Sequence, residues 1–193
     1  MNGLLRVVVT GSECTGKTTL AARLADGLGA LWVPEAARLV ADEKGSPLDA
    51  SDVSRIARRH VALADAAAAE SARRDRHLLV LDTDLLSTVV YARHYYGSCP
   101  ALVEASARAR LADLYLLHHP DVPWIPDSAR DRPDQRAEIH ALFEGVLREF
   151  GASVVDILGG WDVREKLAST AVALLRQRPF RASEGPVRNG PSG

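Results

Sequence analysis

Apolar residues recur along this chain in two alternating rhythms. Short, nearly continuous runs occur at Leu4–Thr10, Ala30–Val33, His77–Asp82, Leu114–Leu117 and Ser153–Ile157. Each is rich in Val, Leu or Ile, the pattern of a strand buried on both faces in a parallel sheet. Between and after them lie longer stretches with apolar residues every three or four positions, at 17–28, 50–74, 84–95, 101–111, 134–149 and 161–176. That spacing predicts helices. In the second of them Val53, Ile56, His60, Leu63 and Ala67 share one face. Ser51 and Asp134 stand where N-caps belong, with Pro47 and Pro133 as punctuation. Strand and helix in alternation predict a doubly wound α/β domain with helices on both faces of a parallel sheet. Ligands of such sheets bind at the carboxyl ends of the strands, so the residues that follow each strand are the ones to search.

Two segments break the rhythm. From His118 to Pro133 the chain carries Pro120, Pro123 and Pro126 together with Arg130 and Arg132. The stretch is too polar for a core and too long for a plain connector, and a lid over about 119–136 is the expectation. From residue 179 onward no apolar period remains, which predicts a disordered tail behind a single domain over 1–178.

Composition narrows the class only slightly. A chain of 193 residues, 47% hydrophobic and 25% charged, can bury one sizeable core without metal or disulfide support. A formal net charge of −1 gives no reason to expect a nucleic-acid or membrane partner. The first strand begins almost at once, without a charged-then-apolar leader, and no apolar run approaches a membrane span, so a cytoplasmic protein is expected. Two cysteines, Cys14 and Cys99, do not make a disulfide framework.

The strongest chemical signal follows the first strand. Gly11-Ser12-Glu13-Cys14-Thr15-Gly16-Lys17-Thr18 is a complete G-x-x-x-x-G-K-[ST] loop, with an apolar strand before it and an amphipathic helix, opening through Thr19, behind it. Glycines let the backbone curl so that successive N–H groups face an anion, and the helix adds the positive end of its dipole. Lys17 then reaches the β- and γ-phosphates and the Thr18 hydroxyl can ligate Mg²⁺. Binding of a nucleoside triphosphate, ATP with Mg²⁺, is the expectation.

Other strand ends supply the remaining candidates. The third strand ends in Asp82, a rigid carboxylate suited to the metal side of the site. Asp84 can meet the substrate or cap the following helix. After the second strand, Glu35 can hold an acceptor hydroxyl or take its proton, or it can sit at a helix start and pair with Arg38. Arg130, Arg132 and Arg136 can close over a transferring phosphoryl group, or form a solvated charge run. Tyr91, His94, Tyr95, Tyr96 and Trp124 can stack on a planar substrate or pack the core. Gly159-Gly160-Trp161-Asp162-Val163-Arg164 is positioned to pass an adenine ring, as a helix-start loop would also be.

Taken in order, these segments resemble the ribosylnicotinamide kinase module of bifunctional bacterial NAD-biosynthesis proteins, a P-loop small-molecule kinase family. The resemblance rests on Gly-Ser-Glu-Cys-Thr-Gly-Lys-Thr, Val-Pro-Glu-x-Ala-Arg, Asp-Thr-Asp-Leu-Leu, Asp-Leu-Tyr-Leu-Leu, Pro-Asp-Val-Pro-Trp, the Arg130–Arg136 segment and the closing Gly-Gly-x-x-x-Arg, from about residue 4 to residue 176. It implies a P-loop NTPase three-layer sandwich with a five-stranded parallel sheet of order 2-3-1-4-5. It also implies ATP·Mg²⁺-dependent phosphorylation of nicotinamide riboside to nicotinamide mononucleotide. Phosphate contacts would fall to Gly16, Lys17 and Thr18, metal to Thr18 and Asp82, substrate to Glu35, Arg38 and Trp124, and the lid to Arg130 and Arg136. The chain departs from the family in two ways. The two tyrosines that family members carry after Val-Pro-Glu, in a pattern like Glu-Tyr-Ala-Arg-Glu-Tyr, are missing from Glu35-Ala36-Ala37-Arg38-Leu39-Val40, where Ala36 and Val40 stand in their places, and a stand-alone kinase is expected, without adenylyltransferase or DNA-binding modules. Two alternatives stay open: a kinase for another nucleoside or alcohol, and a nucleotide-gated ATPase that switches a partner.

Overall fold

A computed structural model describes residues 3–122 and 135–177 of the chain. Five parallel strands, β1 (Leu5–Gly11), β2 (Leu31–Val33), β3 (Leu78–Asp82), β4 (Leu114–His118) and β5 (Val154–Ile157), form one sheet in the order β2-β3-β1-β4-β5. The helices are α1 (Lys17–Gly27), α2 (Ala36–Lys44), α3 (Val53–Arg73), α4 (Leu85–Tyr96), α5 (Ala101–Ala109), α6 (Arg136–Glu149) and α7 (Trp161–Gln177). The expected architecture and strand order are both present.

Two-residue alternation along the strands divides the core. Val7, Val9, Leu78, Val80, Leu114, Leu116 and Ile157 face α1 and α7. Val8, Leu79, Leu81, Tyr115 and Leu117 face α3, α4 and α6 on the other side. Because β1, β3 and β4 are buried on both faces, their sequences read as unbroken apolar runs. Register then fixes the site: Val9 lies beside Asp82, and Gly11 beside His118. The carboxyl ends of the three central strands therefore meet at the loop that follows β1.

Helix α2 was not expected from the pattern. Nine residues long, it buries only Ala36 and Val40, a stripe too narrow to stand out. It ends at Gly45, which adopts φ 65 as the left-handed stop after Lys44. The long second helix begins at Val53 rather than 50, behind a short 3-10 turn at Ala50–Asp52. The capping residue there is Asp49, which accepts from the Ser51 N–H, rather than Ser51 itself. The expected cap at Asp134, most of the lid and the tail from 179 lie outside the described residues. No described helix is long and apolar enough to cross a membrane.

Candidate active site

The phosphate loop is held from below by its neighbours. Gly11 has φ 127, and a Cβ there would stand 2.6 Å from the His118 carbonyl oxygen. Gly16, at φ 83, caps α1 against the Trp161 ring, 3.0 Å from where its Cβ would be. Cys14 also takes a left-handed conformation, φ 52. Within the loop the Thr15 hydroxyl donates to the Ser12 carbonyl at 2.9 Å, and the Lys17 ammonium donates to the same oxygen at 2.7 Å. Ser12, Thr15 and Lys17 are buried, whereas Thr18 and Thr19 open to solvent on the first turn of α1. His118 supports the curl, its Nδ1–H donating to the Thr15 carbonyl at 3.0 Å. Burial pushes this imidazole down to about 3, so it stays neutral.

Asp82 ends β3 with 1% exposure, and neither carboxylate oxygen completes a hydrogen bond among the described residues. Burial raises its pKa and the Glu35 charge raises it further, while the Thr18 hydroxyl, Lys17 and Arg38 oppose the shift. A buried carboxylate whose hydrogen bonding is left incomplete is costly unless a cation meets it. An oxygen pair from Asp82 and Thr18 fits the hard-ligand chemistry of Mg²⁺, whose remaining positions phosphates and water fill. The described residues hold no cluster of three or more His, Cys, Asp or Glu suited to another kind of metal site.

Thr83, the next residue, was missed by sequence reasoning. A β-branched residue at φ 63 is strained, by about 1–3 kcal/mol. Its N–H donates to the Val9 carbonyl at 3.0 Å, which fixes the turn that aims Asp82 and starts α4. Strain of this kind has no signature in composition or periodicity.

Asp84 resolves toward the capping alternative. Its Oδ1 accepts from the Leu86 and Ser87 N–H groups at 2.9 and 3.3 Å, and its Oδ2 accepts from the Tyr115 hydroxyl at 2.7 Å. Burial pushes this carboxyl up to about 6, against those three donors. It also borders the cleft, with its oxygens bonded to α4 and β4 as the capping alternative has it.

Arg164, expected beside the adenine, is fully buried beneath the loop. Its guanidinium donates to the Gly159 carbonyl at 2.8 Å, the His119 carbonyl at 3.0 Å, the Thr15 carbonyl at 3.4 Å and the Asp121 carboxylate. It ties the phosphate loop, the end of β4 and the loop before α7 into one unit, with no face left for a ligand.

Above the loop lies a cleft of about 1060 Å³ between α2, α3 and α4. Lys17 and Glu13 enter it from the loop, and Glu35 and Arg38 from the start of α2. Glu35 is the N-terminal cap residue of α2 and also lies 3.8 Å from Arg38, so both readings of it meet at one place. Tyr91 and Tyr95 line the cleft from α4, their rings parallel at 8° and 6.0 Å apart; Phe143 meets Tyr91 at 5.7 Å and 83°. Tyr96 also borders it, and His94 flanks Tyr95 at 4.7 Å. Arg136 opens α6 and donates to the Val122 carbonyl at 3.0 Å. Trp124, Arg130 and Arg132 lie outside the described residues.

Comparison with known proteins agrees with this fold. Two solved structures superpose over 93% of the chain: NadR protein in complex with NR, at TM-score 0.74 and 26% identity, and NadR protein in complex with NAD and AMP-PNP, at 0.72 and 27%. The chain spans about half of each, 52% and 51%. A thymidylate kinase from Ehrlichia chaffeensis shares the fold at TM-score 0.63 and 14% identity, over 91% of this chain and 100% of that one. No curated protein matches the sequence. A family model described as "AAA domain" matches residues 6–164, from β1 to the buried arginine under the phosphate loop. On that span the chain belongs to the AAA-domain family, with a P-loop kinase-like fold and NadR among its structural neighbours.

Proposed function

We propose that the chain is an ATP- and Mg²⁺-dependent phosphotransferase acting on a hydroxyl of a nucleoside-like molecule, and that this molecule is nicotinamide riboside, converted to nicotinamide mononucleotide. One observation carries the reading: Glu35 borders the same cleft as Lys17 of the phosphate loop. A carboxylate opposite a phosphate loop is what an acceptor hydroxyl needs. The NadR neighbours, one in complex with NR and one with NAD and AMP-PNP, support the same assignment.

In this mechanism the loop amides and Lys17 hold the β- and γ-phosphates. Thr18 and Asp82 would hold Mg²⁺, which supplies charge neutralisation on the phosphates. Glu35 accepts the proton as the acceptor oxygen bonds to the γ-phosphorus. The bond from that phosphorus to the β–γ bridging oxygen breaks, and ADP departs. Arg136, with Arg130 from the lid, balances charge on the transferring group, and Arg38 and Trp124 contact the acceptor. The test is ADP formation with MgATP across a panel of nucleosides. Stimulation by nicotinamide riboside well beyond other members supports the assignment. Stimulation by a different nucleoside keeps the kinase and discards the acceptor.

A further inference from the structure

Three residues of α3 border the cleft, Val53, Ile56 and His60, spaced to share one helix face. Two are apolar. The third is an imidazole with 6% exposure that forms no hydrogen bond with any described residue. Burial pushes its pKa down to about 4, the Arg110 charge adding to the shift and Asp65 opposing it. It therefore carries one N–H donor and one bare nitrogen acceptor throughout the neutral range. Its ring nitrogens are not among the fully sealed polar atoms of the core, so they open onto the cleft, where Leu48, Val53 and Ile56 of the same lining have no side-chain polar atom to offer them. Across the cleft, Tyr91 and Tyr95 present parallel rings on the α4 wall. The arrangement suits an acceptor with two features: a flat ring to join the tyrosines and an uncharged polar substituent reaching the floor.

We propose that His60 is the specificity-determining residue of the acceptor cleft, pairing with a neutral donor–acceptor substituent, such as a carboxamide, on a planar ring held by Tyr91 and Tyr95. The inference rests on the kinase reading above and adds to it the residue that reads the ring. A site built to hydrogen-bond one substituent rejects an analogue that lacks it, because its own polar group is then stranded.

The test compares nicotinamide riboside with the pyridine riboside that lacks the carboxamide, using wild type, His60→Leu and His60→Gln. Wild type is expected to favour nicotinamide riboside by about tenfold or more in kcat/KM. His60→Leu should collapse that preference toward unity, chiefly through the KM for nicotinamide riboside, with the dissociation constant for MgATP unchanged. His60→Gln, which keeps a donor and an acceptor, should restore part of it. A general packing defect would lower both ribosides together, so equal loss with the two acceptors overturns the proposal, as does an unchanged ratio in His60→Leu. No wild-type turnover of nicotinamide riboside would remove the underlying kinase assignment and the inference with it; wild-type turnover with an unaltered ratio removes the inference alone.

Discussion

Replacing Arg164 by Met separates a buried brace from a nucleotide ligand. The guanidinium is wholly enclosed and donates to three carbonyls and one carboxylate on three different loops. In Arg164→Met the Thr15 carbonyl keeps His118 as a donor, and Asp121, 38% exposed, turns to water. The His119 and Gly159 carbonyls lose this donor, at about 1–3 kcal/mol each. Relief from burying a charge offsets part of that, leaving a net loss of about 2–4 kcal/mol. For a domain of this size the melting temperature should fall by about 5–15 °C, and MgATP affinity should fall because the loop is no longer held. Arg164→Lys, which keeps the charge but not the fork, should lie between. The assay is thermal unfolding by circular dichroism beside nucleotide titration. An unchanged melting temperature with weakened MgATP binding would refute the brace and return Arg164 to the nucleotide.

Other outcomes follow from the same geometry. Glu35→Gln should lower kcat by about a hundredfold or more while MgATP affinity holds; near-normal turnover in steady-state kinetics would remove Glu35 from the chemistry. Gly11→Ala should abolish nucleotide binding by titration, since its Cβ would meet backbone 2.6 Å away, and no side-chain rearrangement relieves that. Asp84 carries a raised pKa, from 3.8 to about 6, so its contribution to stability is fully present below pH 3.8 and is lost as pH rises through 6. Denaturant unfolding at pH 4 and pH 8 should therefore show Asp84→Asn gaining about 2 kcal/mol on wild type across that interval, and an equal pH response in both proteins would contradict it.

Much of this was readable in the residues themselves. Strands buried on both faces announce themselves as apolar runs, so the parallel sheet was legible from the pattern, its order came with the family resemblance, and the phosphate loop brings its own spacing, which singled out Lys17 and Thr18 as candidates. Residues whose roles depend on what lies behind them were not readable. Asp84 and Arg164 carry the right chemistry for ligands, and only tertiary packing turns one into a helix cap and the other into a brace. Thr83 and His60 show the converse. A strained turn has no periodic signal, and a histidine on an apolar helix face reads as core until the cleft beside it appears. Helix α2 was hidden because two small buried residues leave too faint a stripe.

The central claim is transfer of phosphoryl to an acceptor rather than to water. Incubation with ATP bearing ¹⁸O in its γ-phosphoryl group, in the presence of Mg²⁺ and nicotinamide riboside, tests it most directly by product mass. The account predicts nicotinamide mononucleotide carrying the label, formed at the rate at which ADP appears. Label recovered only in inorganic phosphate, at a rate indifferent to the riboside, would contradict it and leave a nucleotide-hydrolysing switch in its place.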